Sequence, residues 1–316
     1  MTLGSAQMRL IRRPGKDPER FADGCVATIG AFDGVHKGHR GIVQRVLDEA
    51  AQRNLPSVIV SFEPTPREFF SRAEPPPRLT RFREKFAEFQ NCGVDWFFCP
   101  PFNEAMEQLE PQAFIDNLLI STLNIKHLVV GDDFVFGRKR RGNVDDLRRA
   151  GEVSGFSVEQ MNSVLAGGDR ISSTAIRQAL AAGHLKRAAE LLGRDYSMTG
   201  RVVDGQKLGK KLGYPTANVN LNRRASPIAG IFAVRVAGLA PELLNGVASV
   251  GTRPTVAGIE PLLEVHIFDF DRDIYGEYIR VEFVQKLREE EMFPDLETLT
   301  EQMHVDAAEA RQILSC

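Results

Sequence analysis

A buried strand, a glycine-rich turn and an amphipathic helix follow one another near the start of the chain, and this unit restricts the fold most. Residues 25–29 form an apolar run, and apolar residues from Ile42 to Ala50 recur with helical period. The turn between them, 30–39, has the sequence GAFDGVHKGH. A strand, turn and helix in this order predict a parallel α/β sheet. Glycines beside a helix N-terminus are suited to binding an anion such as phosphate.

The rest of the first half continues the α/β pattern. Further strands are predicted at 55–62, 95–98 and 127–130, with a helix at 81–90. Ligands of open α/β sheets collect at the carboxyl ends of the strands, where the histidine-containing turn and 131–134 would lie. The basic run that follows, Arg138-Lys139-Arg140-Arg141, is typical of a solvated surface, and a nucleic-acid patch is the alternative. We interpret it as a loop near the active site.

The pattern changes after Gly193, which closes a short predicted helix at 184–192. Short strands are predicted from there onward at 196–203, 231–236, 243–250, 262–270 and 275–283, followed by a helical tail from Asp295. This spacing is typical of a small antiparallel barrel or sandwich. We therefore predict an α/β domain at 1–186 and a β-rich domain at 187–316.

Composition narrows the class of protein without identifying its chemistry. The 316 residues are 43% hydrophobic and 26% charged, with a net charge of −2, as expected of a globular protein with no overall field for nucleic acid or membrane. Neither a secretory signal nor a membrane-spanning stretch is recognisable, so we expect a cytoplasmic protein. Four cysteines, scattered without a Cys-x-x-Cys pair, argue against both a disulfide framework and a zinc site.

A second candidate anion site lies in the segment ISSTAIR, residues 171–177. Its serines are good N-cap residues for a helix that Gly183 would terminate. Hydroxyl groups and the Arg177 guanidinium at one helix N-terminus suit a triphosphate, although an ordinary helix cap has the same residues.

A third candidate site opens the second half. Four glycines at 200, 205, 209 and 213 precede Tyr214-Pro215-Thr216-Ala217-Asn218. Strand alternation places the oxygen donors of Thr216 and Asn218 on one side, as a hard cation such as Mg²⁺ prefers. Alternation also places Glu264 and His266 on one strand face, where a glutamate is either solvated or a general base.

These motifs resemble known families. The turn at 30–39 resembles the signature of the nucleotidylyltransferase superfamily, and its Phe-Asp-Gly-Val-His core is similar to that of bacterial FAD synthetases. The glycine-rich segment with Tyr-Pro-Thr-Ala-Asn resembles riboflavin kinases. The resemblance implies a Rossmann-like α/β nucleotidylyltransferase domain, then a small antiparallel β-barrel riboflavin kinase domain with a C-terminal helix. It also implies phosphorylation of riboflavin to FMN by ATP, and adenylylation of FMN to FAD with release of pyrophosphate.

The resemblance assigns a role to each candidate residue. Catalytic roles fall to His36, His39 and Glu264, the last as the base for the ribityl hydroxyl. The expected nucleotide contacts are Gly30, Phe32, Asp33, Gly34, Ser173, Thr174, Arg177, Gly205, Gly209 and Gly213. Thr216 and Asn218 are expected to bind Mg²⁺, and the expected partners are the small molecules riboflavin, FMN and ATP.

Two departures from the family pattern are relevant to activity. Thr65 stands where Phe-Glu-Pro-His-Pro is usual, and Tyr214 stands where phenylalanine is common. Loss of a histidine at Thr65 would affect adenylylation and leave the kinase intact. One alternative is a working kinase joined to a binding module or to an adenylyltransferase for another phosphorylated substrate. An alternative from a different class is a flavin sensor or carrier without turnover.

Overall fold

The computed structural model describes residues 7–13, 20–71, 75–205, 209, 212–255 and 258–315. The chain divides into two compact units, the first comprising 1–76 and 82–171 and the second comprising 77–81 and 172–316. The predicted domain limits, 1–186 and 187–316, stay a prediction.

The first unit is built on a six-stranded parallel sheet with the order β1-β4-β3-β2-β5-β6. Its strands are β1 (Arg9–Ile11), β2 (Cys25–Ile29), β3 (Ser57–Val60), β4 (Trp96–Phe98), β5 (Ile125–Gly131) and β6 (Ser157–Met161). Its helices are α1 (Lys37–Arg53), α2 (Pro66–Phe70), α3 (Phe82–Asn91), α4 (Glu104–Glu107), α5 (Pro111–Phe114) and α6 (Val144–Ser154), with a π-helical segment at Ile115–Thr122 and a 3-10 turn at Arg138–Arg140. A small hairpin of β7 (Leu165–Ala166) and β8 (Asp169–Arg170) follows.

Burial explains why the central strands are so apolar. Every residue of β2 and β3 is buried, because helices cover both faces of the parallel sheet. Helix α1 starts directly behind the turn that leaves β2, so the turn lies at the carboxyl end of the strands, as predicted.

The second unit contains a closed antiparallel barrel with the strand order β10-β13-β12-β11-β14-β9. Its elements are α7 (Ser173–Ala181), α8 (Leu185–Leu192), β9 (Tyr196–Val203), β10 (Ala217–Asn220), β11 (Gly230–Ala237), β12 (Leu244–Thr255), β13 (Gly258–Ile267), β14 (Tyr278–Arg288) and α9 (Leu296–Leu314). The predicted fold class, an α/β sheet followed by a β-barrel and a C-terminal helix, is confirmed. The predicted helical tail begins where expected, with the Asp295 side chain accepting a hydrogen bond from the amide of Thr298.

None of the helices described here is both long enough and apolar enough to cross a membrane.

Candidate active sites

The two histidines of the predicted phosphate turn lie face to face. His36 is the N-cap of α1, and its Nδ1 accepts a hydrogen bond of 3.3 Å from the amide of His39. The two imidazole rings stack with centroids 3.5 Å apart and planes at 15°. Gly38 permits this packing, because a Cβ there would lie 3.3 Å from the His36 ring. The turn therefore places both imidazoles at one helix N-terminus, which favours an anion.

His39 is held as a neutral imidazole. Burial lowers its pKa well below the usual value, and the charges of His36 and Lys85 lower it further. Its Nδ1 is buried and has no hydrogen-bond partner among the described residues. Since buried polar atoms are normally hydrogen-bonded, this nitrogen suits contact with a ligand.

The backbone of the turn is strained where it curves around the histidines. Phe32, Gly34 and Val35 have positive φ angles of 49°, 89° and 41°. The left-handed conformation is unfavourable for a β-branched residue such as Val35, and such strain concentrates at functional sites. Complete burial of Val35 holds it there.

The predicted nucleotide contacts of this turn differ in their exposure. Phe32 is buried, and its ring meets His39 edge-on at 5.2 Å and Phe89 at 5.5 Å. Gly30 lies under that ring, since a Cβ there would be 3.0 Å from it. Asp33 is also buried. Phe32 therefore supports the His39 ring from below, and direct contact of these residues with nucleotide stays a prediction.

Lys85 belongs to this site, and no sequence motif indicates it. It lies on α3 and is only 3% exposed. Its ammonium group donates to the carbonyl of Ala31 at 2.6 Å and lies 3.4 Å from Ser61 Oγ. A sequence clue exists, because Lys85 lies four residues before the core residue Phe89 and so on the same face of α3. A cation buried on that face is costly unless it is hydrogen-bonded.

Residues 172–177 of the second candidate segment lie at the start of α7, in the second unit. Ser172 is the N-cap, and its hydroxyl accepts from the amide of Ala175 at 3.2 Å. Ser173 and Thr174 are the first helical residues, and Thr174 is exposed. Arg177 Nε donates to the carbonyl of Pro77 at 2.7 Å. The residues predicted for adenylylation are thus divided between the two units, with His36 and His39 in the first.

Two other sequence features of the first unit have local partners. In the basic run, Arg138 and Arg141 lie 3.1 and 3.7 Å from Glu110 carboxylate oxygens. Thr65 is the N-cap of α2, where it and Glu68 form a reciprocal capping box. The residue that replaces the usual histidine therefore stabilises a helix start.

The barrel brings the predicted metal residue and the predicted base side by side. Asn218 on β10 is directly opposite Glu264 on β13 in the antiparallel register. Side chains of directly opposed residues share one face, with Cβ atoms about 5 Å apart. Leu263, Val265 and Ile267 alternate with Glu264 and are buried, which confirms the predicted division of this strand.

Two of the glycines predicted to bind nucleotide, Gly205 and Gly209, lie against the residues predicted to bind Mg²⁺. A Cβ at Gly205 would lie 2.0 Å from Asn218 Nδ2, and a Cβ at Gly209 would lie 2.3 Å from the Tyr214 carbonyl and 3.4 Å from Thr216 Oγ1. Only glycine allows this approach. Gly213 instead has a φ of 85°, and glycine is favoured there because residues with a side chain rarely adopt this conformation.

Aromatic side chains connect this site to the C-terminal helix. The Tyr214 hydroxyl is hydrogen-bonded to Nδ1 of His304 on α9. Its ring also meets His266 edge-on at 5.0 Å, and His266 Nδ1 is 2.9 Å from the Pro215 carbonyl. The hydroxyl that distinguishes Tyr214 from phenylalanine therefore forms a hydrogen bond to the C-terminal helix. His266 contacts both Tyr214 and Pro215, so it lies in an orienting position beside them. No sequence motif indicated His304.

Comparison with known proteins gives consistent matches along the chain. Residues 19–175 match the family FAD synthetase, and residues 192–314 match the family riboflavin kinase. The bifunctional riboflavin kinase/FMN adenylyltransferase of Escherichia coli K12 is 46% identical over 305 residues, covering 96% of this chain and 97% of the relative. The Haemophilus influenzae protein of the same name is 42% identical, covering 96% and 98%.

A solved structure shares the architecture of the whole chain. It is described as a macrolide-efflux protein from Streptococcus pneumoniae, is 30% identical, and covers 95% of this chain and 97% of its own with a TM-score of 0.78. That description names another activity, and a shared fold does not transfer an activity by itself.

Proposed function

Because this chain belongs to the bifunctional riboflavin kinase/FMN adenylyltransferase family, we propose that its two reactions are carried out by the residues described above. The protein phosphorylates riboflavin to FMN with ATP and then adenylylates FMN to FAD, releasing pyrophosphate. The barrel residues serve the first reaction, and the histidine turn serves the second.

The kinase assignment is carried by one observation, the direct opposition of Asn218 and Glu264 across two barrel strands. In this reaction the 5′-hydroxyl of riboflavin attacks the γ-phosphorus of ATP, and ADP leaves. Glu264 orients the hydroxyl and accepts its proton. Gly205 and Gly209 let the backbone approach the nucleotide and the side chains of the metal residues.

The start of β10 offers oxygen donors that fit Mg²⁺. Thr216, directly before the strand, supplies a hydroxyl, and Asn218 on the strand supplies an amide oxygen opposite Glu264. Mg²⁺ bound there would neutralise charge on the ATP phosphates. Asn218 is only 7% exposed, so the site would be partly shielded from water, which strengthens electrostatic interactions.

For adenylylation, an FMN phosphate oxygen attacks the α-phosphorus of ATP, and the bond to the β-phosphate breaks so that pyrophosphate leaves. The nucleophile is already an anion, so the protein's contribution is positioning and stabilisation of charge. His36 and His39 are stacked at a helix N-terminus and donate to phosphate oxygens. The resemblance to the family implies that the β- and γ-phosphates are contacted by Ser173, Thr174 and Arg177.

The partners of this activity are the small molecules riboflavin, FMN and ATP. A cytoplasmic location and independence from nucleic acid are part of the proposal, and the net charge of −2 supports the second.

Flavin chromatography tests the proposal. Purified protein is incubated with ATP, Mg²⁺ and either riboflavin or FMN, beside reactions with Glu264→Gln and His36→Gln variants. We expect Glu264→Gln to lose FMN formation and keep FAD formation from FMN, and His36→Gln to show the reverse. Loss of both activities in either folded variant would contradict separate sites. FMN without FAD from the unmodified chain would implicate Thr65.

A further inference from the structure

A cluster of potential metal ligands lies in the first unit, near the amino ends of the strands, whereas the histidine turn lies at their carboxyl ends. It consists of Glu49 on α1, His127 on β5 and Glu159 on β6, whose ligand atoms all lie within 4.8 Å of one another. Glu49 is 13 residues beyond His36, about 20 Å along a helix. His127 lies near the amino end of its strand. None of the reaction steps uses these residues.

The His127 ring is oriented with one nitrogen facing the carboxylates. Its Nδ1 is 2.7 Å from Ser157 Oγ, and that hydroxyl in turn donates to the Lys126 carbonyl at 3.4 Å. With the ring proton on Nδ1, where it is donated to the Ser157 hydroxyl, Nε2 keeps a lone pair for a ligand. Nε2 lies 3.5 Å from Glu159 Oε2 and 4.0 Å from Glu49 Oε2.

This nitrogen is an unusual buried group. His127 is 5% exposed, and its Nε2 has no hydrogen-bond partner among the described residues. Burial lowers the pKa of His127, with Arg53 adding to the effect and Glu49 and Glu159 opposing it. Three potential ligand atoms, one from each side chain, therefore converge on a space that suits a cation.

Two arginines hold the carboxylates in place. Arg45 Nε is 2.8 and 3.0 Å from the two Glu159 oxygens, and its Nη2 is 2.6 Å from Glu49. Arg53 Nε is 3.0 Å from Glu49 Oε2. Carboxylate ligands in metal sites are commonly hydrogen-bonded in this way, and each oxygen retains a lone pair. Because the arginines already neutralise both carboxylates, a metal must gain its affinity from the imidazole, which favours zinc over magnesium or calcium.

We propose that Glu49, His127 and Glu159 form a binding site for a divalent transition metal of the zinc class, which joins α1 to β5 and β6 away from the site of catalysis. Bound metal would stabilise the first unit by preferring the folded chain.

The test is titration of ZnCl₂ into the metal-stripped full-length protein, followed by calorimetry and by thermal unfolding. We compare the unmodified chain with His127→Gln and Glu159→Gln, which keep side-chain size and remove a ligand. His39→Gln is the matched control, because it removes a histidine of the same unit outside the cluster. Circular dichroism and cooperative thermal unfolding without zinc identify folded variants.

One zinc site should disappear, or weaken at least about tenfold, in both cluster variants and persist in His39→Gln. The zinc-dependent rise in unfolding temperature should disappear with it. Absence of zinc binding in the unmodified chain, or equal affinity and stoichiometry in a folded His127→Gln or Glu159→Gln protein, would overturn the proposal.

Discussion

Replacing the buried lysine of α3, Lys85→Met, should impair adenylylation selectively. The lysine ammonium donates to the Ala31 carbonyl at 2.6 Å from a position that is 3% exposed. Hydrogen bonds from charged groups contribute about 1.5–3 kcal/mol. If that energy maintains the turn in its reactive shape, kcat/KM for FAD formation should fall by about 10- to 100-fold, since about 1.4 kcal/mol corresponds to a factor of ten.

Folding should survive this change. Methionine fills nearly the same volume and removes the desolvation cost of a buried cation, which offsets the lost hydrogen bond. The substitution also removes a positive charge that lowers the His39 pKa, so this pKa should rise toward its usual value.

The assay follows FAD formation from FMN and ATP, with riboflavin phosphorylation as an internal comparison because its residues belong to the barrel unit. Lys186→Met, which alters an exposed lysine on α8, is the control substitution. A folded Lys85→Met protein that adenylylates FMN within about twofold of the unmodified enzyme would refute the reasoning. Loss of the hydrogen bond to Ala31 would then have no effect on the turn.

The remaining predictions concern each site separately. His36→Ala should lower FAD formation by about 100-fold or more and leave FMN formation intact, and Glu264→Ala should do the reverse in assays from FMN and riboflavin. Gly205→Ala should lower riboflavin phosphorylation by about tenfold or more, because its Cβ would lie 2.0 Å from Asn218; unchanged kinetics would contradict the close approach. The pKa of His39 is depressed in the free protein and should rise beside ATP phosphates, so ATP binding should take up a proton and strengthen as pH falls between the two pKa values. Calorimetry in two buffers of different ionisation enthalpy measures this uptake, which His39→Gln should reduce.

Local patterns in the sequence were enough to place most elements. The apolar run at 25–29 and the helical repeat behind it became β2 and α1, because a buried parallel strand and an amphipathic helix have distinct periods. Glycine and capping signals located the end of α8 at Gly193 and the start of α9 at Asp295. The order of these elements predicted both fold classes.

Elements with weak local signals were missed. β1 has three residues, and β6 has the mostly polar sequence SVEQM. Both are edge strands, whose pairing depends on a neighbouring strand that is distant in sequence. The segment 77–81 groups with the second unit because its contacts, too, are distant in sequence. One of them is Arg177, 100 residues after Pro77.

The sequence by itself determined the chemistry available to this protein, because its three motifs contain residue types that bind phosphate and metal at the required spacing. Only the tertiary structure decided which distant side chains complete each site. Register placed Glu264 opposite Asn218, and helix packing brought Lys85 to the carbonyl of Ala31. Such contacts join residues tens of positions apart, and their geometry is set by closure of the barrel and packing of helices on the sheet, which no local pattern contains.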